Sequence, residues 1–169
     1  MLFAACQSNS HFSGIKELSI QEPTTFINVR HAEKSNNDPN DPDLSEKGLE
    51  RAHLILQMLK NSSVAAIYSS PFIRSMETIR PLSMELGLDI QTYDPADTPA
   101  LMDQIWSKHA GQTVVIVGHS NTVSGLVNTV IWEEKLTNLA DNDYDTMYIA
   151  VGNGKAKGHF LVINYSPEF

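Results

Sequence analysis

A chain of 169 residues has room for one domain with a sizeable core, and its 41% hydrophobic content fits a soluble globular protein. A formal charge of -8 repels nucleic acid rather than gathering it, which sets aside a polyanion-binding role. No apolar run approaches the length that spans a bilayer, and a single cysteine leaves no internal disulfide.

The first 22 residues read as a tether. Met1-Leu-Phe-Ala-Ala-Cys6 followed by small polar residues is similar to the end of a bacterial lipoprotein signal, with Ala4 and Ala5 before a lipid-bearing Cys6. On that reading the protein sits in the periplasm or on a membrane of a bacterial envelope. The other reading is a disordered N-terminus with a chance cysteine in a cytoplasmic protein. From residue 23 to residue 169 the chain reads as one domain.

Phe26 to Val29 is a short apolar run that suits a buried strand, and it ends abruptly in Arg30 and His31. The loop from Glu33 to Asp43 is rich in Asn, Asp and Pro and should frame whatever lies at that strand's end. Ser45 to Lys60 predicts a helix capped by Ser45, with Leu49, Ala52, Ile55, Leu56 and Leu59 inward and with Arg51 and His53 on a surface or flank. A second strand, Ala65 to Ser70, runs into a helix expected to begin at Pro71 under a Ser70 cap, with Phe72, Ile73, Met76 and Ile79 buried. Arg74 then falls in its first turn, where free amides and the guanidinium face an anion together. Pro81 should kink or restart that helix, and Gly87 should end it.

Leu88 to Tyr93 fits a strand, and Asp94 to Pro99 fits a turn leading into a helix from about Pro99 to His109, capped by Asp97 or Thr98. Val114 to Val117 is the clearest strand and runs into Gly118-His119-Ser120, after which Ser120 or Asn121 opens a helix. Asp141-Asn-Asp-Tyr-Asp145 reads as an exposed loop rather than a calcium site, because it lacks the terminal Glu of one. Met147 to Val151 and Phe160 to Tyr165, joined by Gly152-Asn-Gly-Lys, predict an antiparallel edge hairpin. The fold class is therefore α/β: a three-layer sandwich with a mostly parallel central sheet, helices on both faces and that hairpin at the edge.

If the three strands that end in polar motifs lie parallel, Arg30, His31, Arg74 and His119 meet at one sheet edge, where open α/β sheets place their chemistry. Two fixed cations and two imidazoles around one point suit a phosphoryl group. Arg30-His31, then Ser69-Ser70-Pro71-x-x-Arg74-x-x-x-Thr78, then Gly118-His119-Ser120, in that order, resemble the histidine phosphatase superfamily, the phosphoglycerate mutase-like fold. The resemblance runs from about Thr25 to the last strand. It departs at Ala32, where the family usually has Gly. It implies that Asn37 contacts substrate, although a turn residue is an equal reading of that position. Glu33, Ser120 and Asn121 are further candidates for substrate contact.

The chemistry of the cluster makes His31 a nucleophile, since an imidazole of pKa ~6.5 is largely neutral at neutral pH and can attack phosphorus through one nitrogen. Arg30, Arg74 and His119 then stabilise the charge of the transferring group. No metal or cofactor is required. The proton donor is the open question: after Gly87 the carboxylates are Asp89, Asp94, Asp97 and Asp103, and Asp94, at the end of its strand, is the first choice over Asp97 and Glu33. Only about thirty residues separate Arg80 from Gly111, so a large lid is excluded. A small phosphatase for phosphomonoesters or phosphorylated side chains is the leading reading; a mutase and a phosphate-binding scaffold without turnover are the alternatives. Its partners would be a phosphorylated small molecule or phosphoprotein, and the sequence leaves the oligomeric state open.

Overall fold

The computed structural model describes residues 22–166; Cys6 and the lipid-anchor reading lie outside them. Six strands form one sheet: β1 (Thr24–Arg30), β2 (Val64–Ser69), β3 (Ile90–Thr92), β4 (Thr113–Gly118), β5 (Thr146–Gly152) and β6 (His159–Asn164), in the order β3-β2-β4-β1-β5-β6. The first four are mutually parallel, whereas β5 runs antiparallel to β1 and β6 antiparallel to β5. Helices α1 (Glu46–Leu59) and α2 (Ile73–Leu86) pack on one face over Ile27, Val29, Ile67, Val115 and Val117. Helices α3 (Thr98–Lys108) and α4 (Thr122–Ile131) cover the other over Phe26, Tyr68, Val114 and Ile116. This is the three-layer α/β arrangement with an antiparallel C-terminal edge that the pattern predicts.

The central strands explain themselves. β1 and β4 are buried along nearly their whole length, so they read as unbroken apolar runs rather than alternating ones, as parallel strands covered on both faces do. Their register pairs Val29 with Val117 and Arg30 with Gly118, while β2 pairs Ser69 with Val117. The three strands therefore end flush. The His31 amide extends the pairing to the Gly118 carbonyl at 2.9 Å, and the Ser70 amide reaches Val117 O at 3.2 Å.

Two helices depart from expectation in ways that matter for the site. In α1, Ser45 does cap, accepting from the Gly48 amide, but Leu49 is 56% exposed and Arg51 is buried. Arg51 donates through Nε and Nη2 to both oxygens of Glu33, each at 2.8 Å, and through Nη1 to Tyr165 O at 2.9 Å. A salt-bridged arginine thus takes the inner position that apolar periodicity assigns to leucine. The helix is turned this way because its first turn rests on the backbone of Glu33, whose carbonyl accepts from the Ser45 amide at 2.9 Å. A Cβ built on Gly48 would lie 2.1 Å from that carbonyl oxygen. Gly48→Ala should accordingly destabilise the fold by about 1–3 kcal/mol, a typical overpacking cost. Urea denaturation would check this, and an unchanged midpoint would show that the start of α1 shifts freely.

Helix α2 begins at Ile73, two residues later than expected, and Ser70 does not cap it. The Ser70 hydroxyl instead donates to Ser75 Oγ at 2.8 Å inside the protein, and Asp41 Oδ1, from the preceding loop, accepts from the Ile73 amide at 2.9 Å. The buried stripe is Ser75, Thr78, Ile79 and Leu82, with Ile73 outside at 45% exposure. Small hydroxyl residues let the helix approach the strand ends closely: Thr78 Oγ1 donates to Arg74 O at 2.7 Å and accepts from the Ala32 amide at 2.8 Å. Pro81 removes one helix bond without ending the helix, which keeps Leu82 fully buried and stops at Gly87 with φ 64°. Helix α3 starts as expected, with Asp97 accepting from the Ala100 amide at 3.1 Å.

Candidate active site

The flush strand ends bring the predicted cluster together. His31, directly after β1, is buried, and its Nδ1 lies 2.9 Å from Ala32 O. A carbonyl only accepts, so Nδ1 carries the proton and Nε2 keeps its lone pair. Ala32, the departure from the family pattern, is fully buried against Leu44 and Ala52, so its methyl is housed without disturbing this bond. His119 follows β4; its ring centroid is 5.4 Å from that of His31, and its backbone amide donates to Thr122 Oγ1 at 2.8 Å. The Phe72 and His119 rings meet nearly perpendicular with centroids 5.2 Å apart, and the Arg74 guanidinium lies 4.4 Å from the Phe72 ring centroid. Phe72, expected in the buried stripe, is thus part of the site wall.

Both histidines are held neutral. Burial, then the charges of Arg30 and Arg74, outweigh the Ala32 hydrogen bond and lower His31 to about 3. Burial, then Arg74 and Arg30, lower His119 to about 4. Arg74 is itself lowered, by burial first and by Arg30, despite Asp41 at 3.4 Å. Two buried nitrogens in this cluster have no hydrogen-bond partner: Arg30 Nε and His119 Nε2. Buried polar atoms are normally satisfied, so an unpaired arginine N–H and imidazole nitrogen beside His31 mark where an anion belongs.

Arg30 is held by a segment that the sequence presents only as an acidic loop. Its Nη1 donates to the carbonyls of Ala140, Asp141 and Asp143 at 2.9, 3.0 and 2.9 Å, and its guanidinium lies 4.2 Å from the Tyr144 ring centroid. Tyr144 is also 6.0 Å from the His31 ring. Nothing local in the sequence marks these contacts, because carbonyls belong to every residue and the partners are more than a hundred positions from Arg30.

The other predicted residues are placed as follows. Asp94 is exposed, and its Oδ1 accepts from the Ala96 amide at 2.9 Å; Pro95 and Ala96, rather than Asp94, line a cavity of about 350 Å³ with Phe72, Arg74, His119 and Asn121. Asp97 is committed to its helix cap. Burial pushes Glu33 up, but the Arg51 pair outweighs it and holds Glu33 low, so this carboxylate stays ionised and engaged. Asn37 is exposed, and its Oδ1 accepts from Ser35 Oγ and from the Asp43 amide, which organises its own loop. Asn121 stands at the cavity wall, and the Ser120 carbonyl accepts from the Leu139 amide at 3.0 Å. A larger groove of about 550 Å³ between α1 and α2, lined by Leu49, Pro81 and Met84, contains none of the cluster. Among the described residues no group of three or more His, Cys, Asp or Glu is arranged to hold a metal ion, and no helix is long and apolar enough to cross a membrane.

Comparison with solved structures places the fold. The chain resembles the protein histidine phosphatase SixA complexed with tungstate, with a TM-score of 0.68 at 16% identity over 83% of this chain and 96% of that one. It also resembles a mycobacterial glucosyl-3-phosphoglycerate phosphatase, with a TM-score of 0.69 at 14% identity over 86% of this chain and all of that one (100%). No curated protein sequence matches it. Residues 26–95, which carry Arg30, His31 and Arg74, match the model of the histidine phosphatase superfamily (branch 1). Over those residues the chain matches the histidine phosphatase superfamily, and its fold is the one these solved phosphatases share.

Proposed function

We propose that the protein is a phosphatase that works through a phosphohistidine on His31. The observation that carries the reading is the pair of unsatisfied buried nitrogens, Arg30 Nε and His119 Nε2, beside a neutral imidazole whose Nε2 is free. A phosphoryl group would satisfy both donors while presenting phosphorus to His31. In the first step a bond forms from Nε2 to phosphorus and the bond to the leaving group breaks. Water then attacks phosphorus, releases inorganic phosphate and restores His31. Arg30 and Arg74 stabilise the equatorial oxygens throughout. His119, held neutral by burial and by Arg74 and Arg30, takes up a proton as the dianion arrives, because an adjacent negative charge favours the charged imidazole. The two guanidiniums and this imidazolium supply the positive charge that the step needs, so the reaction as proposed uses no metal.

The cavity supports one substrate class. It is open, and no carboxylate is among its lining residues, so leaving groups that depart without a proton from the protein suit it best. A phosphorylated side chain bonded through nitrogen is such a group, and the likeness to SixA, a protein histidine phosphatase, supports the same class. For oxygen leaving groups we propose Asp94 as the acid, reached when its side chain gives up the Ala96 amide. A mutase is disfavoured because the stretch from Arg80 to Gly111 contains only the end of α2, β3 and α3, with no lid to retain the phosphoryl group.

Phosphate release from a panel of phosphohistidine peptide, phospholysine and alkyl and aryl phosphates tests the reading. Release from the P–N substrates is expected. Phosphate binding without release from any of them would mark a scaffold instead. Arg74→Ala should remove at least one charge-assisted hydrogen bond to phosphate, worth about 1.5–3 kcal/mol, and lower kcat/KM by roughly one to two decades. It should also raise the His31 pKa, since Arg74 helps depress it, and so move the acid limb of the pH profile, where the nucleophile becomes protonated, upward. An unchanged kcat/KM would mean that Arg74 serves only Asp41 and Phe72.

A further inference from the structure

We propose that the turn 139–144 is a positioning device for Arg30, and that Tyr144 is the positioning residue through which it sets the guanidinium against bound phosphate. The inference rests on the phosphatase reading for the identity of the anion. A guanidinium has five N–H groups in a planar fork, two of them on Nη1. Three carbonyls, those of Ala140, Asp141 and Asp143, meet Nη1 at 2.9–3.0 Å, which leaves it no hydrogen for a ligand. Nε is buried and unpartnered. The turn therefore commits one end of the fork and leaves the edge formed by Nε and Nη2 for the phosphoryl oxygens.

The chain contains a filled version of the same arrangement. Arg51 gives Nη1 to a carbonyl, that of Tyr165, at 2.9 Å, lies 5.4 Å from the Tyr165 ring centroid, and grips the Glu33 carboxylate with Nε and Nη2. At Arg30 the carbonyls and the ring are present, and the place of the carboxylate is the place an oxyanion would take. Carbonyls suit this task better than carboxylates. They orient the guanidinium without neutralising it, whereas an ion pair would compete with phosphate for the same charge. Among the described residues no carboxylate forms an ion pair with Arg30, although Asp141 and Asp143 supply two of the carbonyls. The Asp143 carboxylate is turned away to the Thr146 amide and hydroxyl at 3.2 and 3.0 Å. That cap and the bond from the Leu139 amide to Ser120 O at 3.0 Å tie the turn to β5 and to the residue after His119.

The test is the affinity of the full chain for inorganic phosphate, measured by calorimetry, together with kcat/KM. Tyr144→Ala should weaken both about tenfold, the scale of a partly desolvated cation–π contact. Tyr144→Phe, which keeps the ring face, should stay within about threefold of wild type on that scale. In an Arg30→Ala background Tyr144→Ala should cost nothing more, since its effect runs through the guanidinium; a purely structural role would add. Thr146→Val, which loosens the Asp143 cap from outside the cavity, should act in the same direction if Tyr144→Ala does not fold. Unchanged phosphate affinity in Tyr144→Ala, or additive losses in the double variant, would overturn the proposal. A wild type that binds phosphate yet hydrolyses nothing would overturn the phosphatase reading and leave this inference standing.

Discussion

His31→Ala should lose turnover by on the order of 10⁴–10⁶-fold, the loss expected when a covalent nucleophile is removed, and should keep the fold. The side chain forms one hydrogen bond, to Ala32 O, whose loss costs about 1 kcal/mol, and it stands at the strand end rather than within either core cluster. The pH dependence of stability separates a missing nucleophile from a damaged fold. His31 and His119 have folded pKa values near 3 and 4, depressed from 6.5, so their burial supports the fold above pH 6.5 and that support is lost as pH falls toward 4 and 3. Removing His31 removes its share, so the melting temperature of the variant should fall less between pH 6.5 and 4 than that of wild type. Retained turnover in a folded variant would move the nucleophile elsewhere.

Asp94→Asn should divide substrates by leaving group. Alkyl phosphates, whose alkoxide needs a proton as it departs, should slow by about 10²–10⁴-fold, while phosphohistidine and activated aryl phosphates should be spared. Asp94 adjoins Pro95 and Ala96 on the cavity wall, whereas Asp97 holds the start of α3 and Glu33 is gripped by Arg51. Equal loss on all substrates, or none on any, would remove Asp94 from the role and leave the protein to leaving groups that need no acid.

The parts of the fold legible in the sequence are those fixed by double-sided burial and by chain ends. Unbroken apolar runs at Phe26–Val29 and Val114–Val117 mark central parallel strands because both faces of the sheet are covered. Since each ends in its motif, the convergence of Arg30, His31 and His119 follows from parallel pairing alone, and Arg74 joins them from the first turn of α2. The illegible parts depend on contacts between distant segments. Apolar periodicity places Leu49 inward, but Glu33 draws Arg51 inward and the helix turns to suit the pair. Ser70 looks like a cap, yet Asp41 takes the first amide of α2 and Ser70 turns to Ser75. The grip on Arg30 is made by backbone carbonyls, which no residue pattern encodes, and Tyr144 sits in a stretch whose acidic side chains point to solvent, to Thr146 or to Ser166.

The most direct measurement is capture of the covalent intermediate. Wild type and His31→Ala are mixed with a ³²P-labelled phosphoramidate, quenched in alkali, digested and mapped by peptide. Label is expected in wild type only, stable to alkali and lost in acid, on the peptide that contains His31. Label retained by His31→Ala, or label in wild type at any other residue, would contradict it.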